Sequence, residues 1–233
     1  MAKRFWTDVT LDQDGDGHFI RLDGRAFKTP NKMALRVPTH AIAGKLKAEW
    51  DAVPLAHDGD IDPSRMPITR LANVASEGAR ERRDALINEV QSYASTDLLC
   101  YRTPEPAEFV KRQANAWDPW LDWAATRGIT LKTTESLLAI EQDPKSLKAV
   151  SAYAARLNGF ALTLFVHLTA VYGSAILAMA VMEGELEPDR AFDLSRLDEL
   201  YREEIWGVDE EAAAQRAALR DETATLGTLA KDI

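Results

Sequence analysis

Hydrophobic and polar positions change period once along the chain. Up to Val37 they alternate with a period near two, the mark of strands. Phe5, Thr7, Val9 and Leu11 share one face of a first strand over residues 5–11. Residues 12–17 read as a turn and His18–Leu22 as a second strand. Asp23-Gly24 is a tight hairpin turn into a third strand over 25–29. Pro30-Asn31 turns the chain again, and Met33–Val37 is a fourth strand that Pro38 stops. The pattern predicts a small antiparallel sheet of hairpins.

After Pro38 the period lengthens to that of helices. Thr39 is the expected N-cap of a helix over 40–52, with Ile42, Leu46, Glu49 and Trp50 at helical spacing. Residues 54–62 form a polar loop. Further helices are predicted over 64–77 and 79–94, and from a proline-marked turn at 103–106 to residue 126. Residues 131–138 read as a short strand or loop. Helices follow over 144–157, 159–171, 174–183, 188–205 and 209–225. The expected fold class is α+β, with a small antiparallel β domain over residues 1–60 and a larger α-helical domain over 61–233.

Residues 160–182 hold no Asp, Glu, Lys or Arg, a length that matches a bilayer span. Thr163, His167, Thr169 and Tyr172 interrupt the run, Gly173-Ser174 breaks it, and neither flank carries a basic cluster. The expectation is a buried helical hairpin with no membrane span. Met1-Ala2-Lys3-Arg4 leads straight into Phe5-Trp6 with no apolar leader run, so a cytoplasmic location is expected.

Composition adds a charge asymmetry. The chain is 46% hydrophobic and 28% charged, ordinary for a globular protein, and its one cysteine, Cys100, excludes an intrachain disulfide. Residues 1–182 balance 22 acids with 22 bases. Residues 183–233 hold 15 acids and 6 bases, and so carry the whole net charge of −9. That balance argues against a nucleic-acid partner, which needs a basic face. It also opposes self-association, so a monomer is expected. The acidic segment itself reads either as a solvated helical face or as a surface for a basic partner.

Candidate chemistry is sparse. Asp12-x-Asp14-x-Asp16-Gly17 with Asp23 in the twelfth place has the spacing of a calcium loop, but its flanks read as strands. The alternative is an acidic hairpin turn. His57 with Asp58, Asp60 and Asp62 could form the acid–base cluster of a small hydrolase, although no nucleophile motif accompanies it. There is no phosphate-cradling glycine loop. His167 is expected to be a core histidine. Trp117, Trp120 and Trp123 fall at spacings of three, which suits core packing or a partner face. Trp50, beside a loop, is expected to pack between the β-rich and helical parts.

Several ordered segments together resemble one family. They are Arg4-Phe5-Trp6, residues 24–30, Glu49-Trp50-Asp51, residues 66–71, residues 93–102, Arg112-Gln113 with Trp117-Asp118-Pro119, and Leu197–Tyr201 through Trp206-Gly207. This set resembles the F1 ATP synthase assembly chaperones that handle the alpha subunit, and it spans residues 4–220. The resemblance implies a non-enzymatic chaperone without cofactor. Such a protein binds unassembled alpha subunit, shields its beta-facing surface and uses no nucleotide. Bacterial members work in the cytoplasm and eukaryotic relatives in the mitochondrial matrix. The run Asp198-Glu199-Leu200-Tyr201-Arg202 departs from the family's usual Asp-Glu-Tyr-Gln.

In the helix expected over 188–205, Leu194, Leu197, Tyr201 and Ile205 follow core spacing. Glu185, Asp189 and Asp193 line up at intervals of four on another side. Like charges at that spacing cost a few tenths of a kcal/mol per pair. Because the excess charge and the family-like Leu197-Asp198-Glu199 run both lie in this segment, Asp189, Asp198, Glu199 and Glu203 are the expected partner-binding residues.

Overall fold

The computed structural model describes residues 3–53, 59–79, 81–136 and 138–233. The period-two segment folds into one three-stranded antiparallel sheet: β1 (Val9–Asp14), β2 (Gly17–Leu22) and β3 (Arg25–Ala26). Val9 pairs with Leu22 and Asp14 with Gly17, while Arg21 pairs with Ala26. Both hairpins close on two residues. In the second, Asp23 and Gly24 take φ of 46° and 77°, the turn whose twist matches the strands.

Three expected strands differ from those observed, the third (25–29) shortening to Arg25–Ala26. Residues 5–8 do not pair as a strand, because the Asp23 carboxylate accepts the backbone N–H groups of Thr7 and Asp8, both at 3.0 Å. Phe5 is left exposed and Trp6 turns into the core. Strand β1 instead runs from Val9 to Asp14, so the turn expected over 12–17 tightens to Gly15-Asp16. The fourth strand shrinks to isolated bridges, His18 to Val37 and Lys28 to Ala34. The second edge of β2 is shared between β3 at one end and Val37 at the other, so neither meets a full row of partners. At the Val37 crossing Gly17 has φ +138°, and a Cβ there would stand 2.9 Å from the Val37 carbonyl oxygen, which demands glycine.

Helix α1 (His40–Asp51) starts where the pattern places it, with the Thr39 hydroxyl accepting the Ile42 N–H. It buries Ile42, Leu46 and Trp50. Trp50 sits between the two parts. Its ring lies 4.9 Å from Trp6 and 4.5 Å from Phe27, and its indole N–H donates to Thr69 Oγ1 at 2.8 Å. Thr69 belongs to α2 (Pro67–Gly78), which is followed by α3 (Arg83–Ser95), α4 (Ala107–Ala125) and α5 (Pro144–Ala154). Residues 131–136 are irregular apart from one bridge between Tyr101 and Thr134.

The charge-free run forms the centre of the helical part. It folds as α6 (Gly159–Tyr172) and α7 (Ala175–Met182), hinged at Gly173 with φ 63°, and the Ser174 hydroxyl caps α7 through the Leu177 N–H. Ala175 to Val181 are all buried. Helices α2 and α3 pack on α6, and α3 and α4 on α7. Among the described residues no helix is long and apolar enough to cross a membrane. The chain ends in α8 (Pro188–Ser195), α9 (Leu197–Trp206) and α10 (Glu210–Gly227). One apolar core runs without a break from Trp6 and the sheet through α1 to α10 and Leu229.

Candidate partner-binding surface

The helix expected over 188–205 is two helices, because Arg196 leaves helical geometry at φ −112° and ψ 18°. The break has a tertiary cause. The Leu194 carbonyl accepts the indole N–H of buried Trp117 at 2.9 Å. The Arg196 guanidinium donates to Val171 O at 2.9 Å, near the end of α6. Apolar spacing continues across the kink, with Leu194 and Leu197 buried and Tyr201 stacked on Phe109 at 4.0 Å. It fails at Ile205, which is 52% exposed rather than in the core.

The structure does not set the four predicted acids in one row. Exposed Asp189 on α8 pairs with Arg220 of α10 at 2.9 Å, and Asp193 takes the same guanidinium at 3.3 Å. That shared base resolves the like-charge spacing on α8. Asp198 faces α4, where it accepts from Gln113 Nε2 at 2.9 Å. Glu203 receives both Arg216 Nη atoms, at 2.8 and 2.7 Å. Glu199 is exposed, with Arg196 at 3.6 Å and Arg216 at 3.9 Å. Glu199 and Glu203 are thus brought together at Arg216, while Asp189 and Asp198 lie against other helices.

The quoted motif segments meet as clasps. The Glu49 carboxylate accepts the N–H groups of Ile68 and Thr69, at 2.9 and 2.8 Å, at the start of α2, and its burial pushes its pKa up. Asp97 is fully buried. It accepts from Leu99 N at 3.1 Å and from Ile176 N at 3.2 Å, tying residues 97–100 to the head of α7. Its desolvation raises its pKa to about 6. Burial next to this carboxylate pushes the Cys100 thiol up to about 12, so it is not a nucleophile near neutral pH. Gln113 bridges Thr103 N and Asp198, and Arg112 grips Glu204 with two bonds of 2.6 Å. That grip holds the Glu204 carboxyl below the usual range.

Among the described residues the other candidates do not assemble a site. Asp12 pairs with Arg21 and Asp14 with Arg36, while Asp23 serves the backbone of residues 7 and 8. The calcium spacing is therefore an artefact of a hairpin whose carboxylates point to different partners. Among the described residues no group of three His, Cys, Asp or Glu side chains is placed to hold a metal ion. His57 and Asp58 of the hydrolase reading lie outside the described residues, and Asp62 caps a short 3-10 turn through the Ser64 N–H. Trp117 is core, whereas Trp120 and Trp123 are half-buried. His167, expected in the core, is half-buried, 3.8 Å from Glu222, and burial lowers its pKa. It stands by a groove in which Arg70 of α2 also reaches Glu222, at 2.6 Å.

Apolar spacing places Ile205 in the core, and Trp206-Gly207 stands only among the family-like segments, so neither gives a sign that the end of α9 is exposed. Ile205, Trp206 and Val208 are 52%, 76% and 62% exposed around Gly207, whose φ of +90° turns the chain. Composition could have drawn notice to it, since a tryptophan here is followed within five residues by Asp209-Glu210-Glu211.

Three comparisons bear on this fold. The chain is 38% identical to an aspartate-to-lysine mutant of Paracoccus denitrificans Atp12p and 39% identical to P. denitrificans Atp12. Each superposes with a TM-score of 0.90 over 99% of this chain and 97% of that one. Mitochondrial protein atp12 of Schizosaccharomyces pombe is 23% identical over 222 residues, 90% of this chain and 75% of that protein. The profile of the ATP12 chaperone protein family matches residues 3–125, more than half of the chain, and the chain belongs to that family.

Proposed function

We propose that this protein is an assembly chaperone of the F1 sector of ATP synthase that binds unassembled alpha subunit and shields its beta-facing surface. The observation that carries this reading is similarity to Atp12 along the entire chain, in sequence and fold together. The sequence contains no phosphate-binding loop, which favours action without nucleotide. In this reading the protein works as a monomer in the cytoplasm and catalyses no reaction.

The acidic C-terminal quarter would set the orientation of the partner, and apolar contacts would supply most of the affinity. Of the predicted set, Glu199 is the most informative to change, because it is exposed and its ion pairs are long. Asp189, Asp198 and Glu203 are already engaged by α10 or α4, so reversing them tests packing as much as binding. Co-expression with alpha subunit, followed by measuring the soluble fraction, tests the reading directly. Glu199→Lys should change stability by less than about 1 kcal/mol, since exposed ion pairs contribute little. It should weaken alpha-subunit binding by roughly 1–3 kcal/mol. Charge reversal at exposed Glu141, outside the acidic segment, serves as the control. Equal solubilisation by the parent, Glu199→Lys and Glu141→Lys would remove the acidic contact from the reading.

A further inference from the structure

We infer that the Ile205-Trp206-Gly207-Val208 knuckle is the apolar anchor on which the client docks, and that it takes an apolar client segment bracketed by Lys or Arg. The inference rests on the chaperone reading and adds to it the contact that supplies affinity.

The first observation is exposure. Trp206 is 76% exposed, and Ile205 and Val208 flank it at 52% and 62%. The other five tryptophans of the chain are buried or half-buried. A folded chain seldom leaves three large apolar side chains within four residues in water unless a partner covers them. Tryptophan is also the side chain most enriched where binding energy concentrates.

The second observation is that the knuckle is built rather than loose. Below it Tyr201 stacks on Phe109, and Arg112 holds Glu204. Beyond it the Asp209 carboxylate accepts the N–H groups of Glu211 and Ala212, at 3.0 and 3.1 Å, and starts α10. Both flanks of the turn are thus pinned before any partner arrives, which lowers the ordering cost of binding.

The third observation is where the charge remains. Along most of the acidic segment the carboxylates are answered internally. Arg220 takes Asp189 and Asp193, Arg216 takes Glu203, and Lys231 takes Glu187. Around the knuckle the balance differs. Asp209, Glu210 and Glu211 follow Val208 directly and no basic residue stands between Val208 and Arg216, while on the other side exposed Arg202, one turn before Trp206, is followed by Glu203 and Glu204. An apolar centre with an acidic rim selects a client segment of apolar side chains between basic ones. A second copy of this chain would set acidic rim against acidic rim, and an anionic lipid surface would be repelled.

The test uses the full-length protein and purified, unassembled F1 alpha subunit. Trp206→Ser should weaken binding about ten-fold or more, whereas Trp206→Phe should lose much less. Val208→Asp is an independent second variant and should weaken binding in the same way. All three should keep the parent's thermal midpoint, because the altered side chains touch little of the core. Binding by the parent should weaken as salt rises. If the parent binds and Trp206→Ser and Val208→Asp bind equally well, the anchor lies elsewhere and the inference falls while the chaperone reading stands. If the parent sediments as a dimer that Trp206→Ser dissociates, the knuckle is a self-interface and the inference falls. The same holds if the parent co-sediments with anionic vesicles through Trp206. If the parent fails to bind alpha subunit at all, the chaperone reading falls and takes this inference with it.

Discussion

Asp97 shows how one residue can couple stability to pH. Its carboxylate has no exposure, and its partners are mainly backbone N–H groups at the head of α7 and in the turn after Thr96. Desolvation outweighs those bonds and moves its pKa from 3.8 to about 6. The folded state therefore holds a proton over a range where the unfolded chain has released it. The stability this provides is complete below pH 4 and is lost as pH rises through 6. It amounts to about 3 kcal/mol at most. Exposed carboxyls held low by arginine or backbone donors, such as Asp12, Asp14 and Glu204, act in the opposite direction. The difference between parent and Asp97→Asn isolates the buried group. Chemical denaturation between pH 4 and 7 should show the parent losing stability relative to Asp97→Asn as pH climbs. Parallel pH profiles would show that Asp97 titrates near its ordinary value.

Among the elements, α8, α9 and α10 form a clasp whose closest approach is set by a missing side chain. A Cβ on Gly227 would lie 2.5 Å from Pro188 Cγ and 2.6 Å from Pro188 Cβ, so α10 meets the start of α8 almost backbone to ring. In isolation Gly227→Ala would favour the helix by about 1 kcal/mol. Here the added methyl must push α10 away or force a ring shift, which costs roughly 1–3 kcal/mol. A net loss of stability is expected, read as a lower denaturant midpoint with unchanged slope. A gain would show that the crossing relaxes freely. Contacts from α4 and α6 explain why 188–205 is not one helix. Trp117 takes the Leu194 carbonyl and Arg196 reaches Val171, so the chain exchanges one helical turn for two tertiary bonds.

For the whole molecule the decisive feature is the unbroken core. The sheet contributes Val9, Ile20 and Leu22, α1 contributes Ile42, Leu46 and Trp50, and these join the apolar centre around α6 and α7. Trp50 links the parts twice, by ring contacts to Trp6 and Phe27 and by its bond to Thr69. Neither part can lose its contacts without exposing the other's apolar surface. Calorimetry is expected to give a single transition whose calorimetric and van't Hoff enthalpies agree. Two resolved transitions would mean that residues 1–60 and 61–233 melt separately.

The sequence by itself determined the local choices. Period two before Pro38 and period 3.6 after it set strands against helices. Thr39, Asn158, Ser174 and Asp209 start helices because a short side-chain oxygen reaches nearby N–H groups. Gly17 and Asp23-Gly24 turn the chain where a left-handed backbone is needed. The ordered motifs carried the family for the same reason, since Glu49, Asp97 and Gln113 hold neighbouring elements in place. The tertiary structure alone decided which acids face outward. Arg216 reaches Glu203 across 13 residues and Arg112 reaches Glu204 across 92, distances in sequence that no local pattern spans. It alone broke the helix at Arg196, because apolar spacing stays in step through the kink. It alone left Trp206 in solvent, since burial depends on which other element arrives to cover a side chain, and among the described residues none does so at the end of α9.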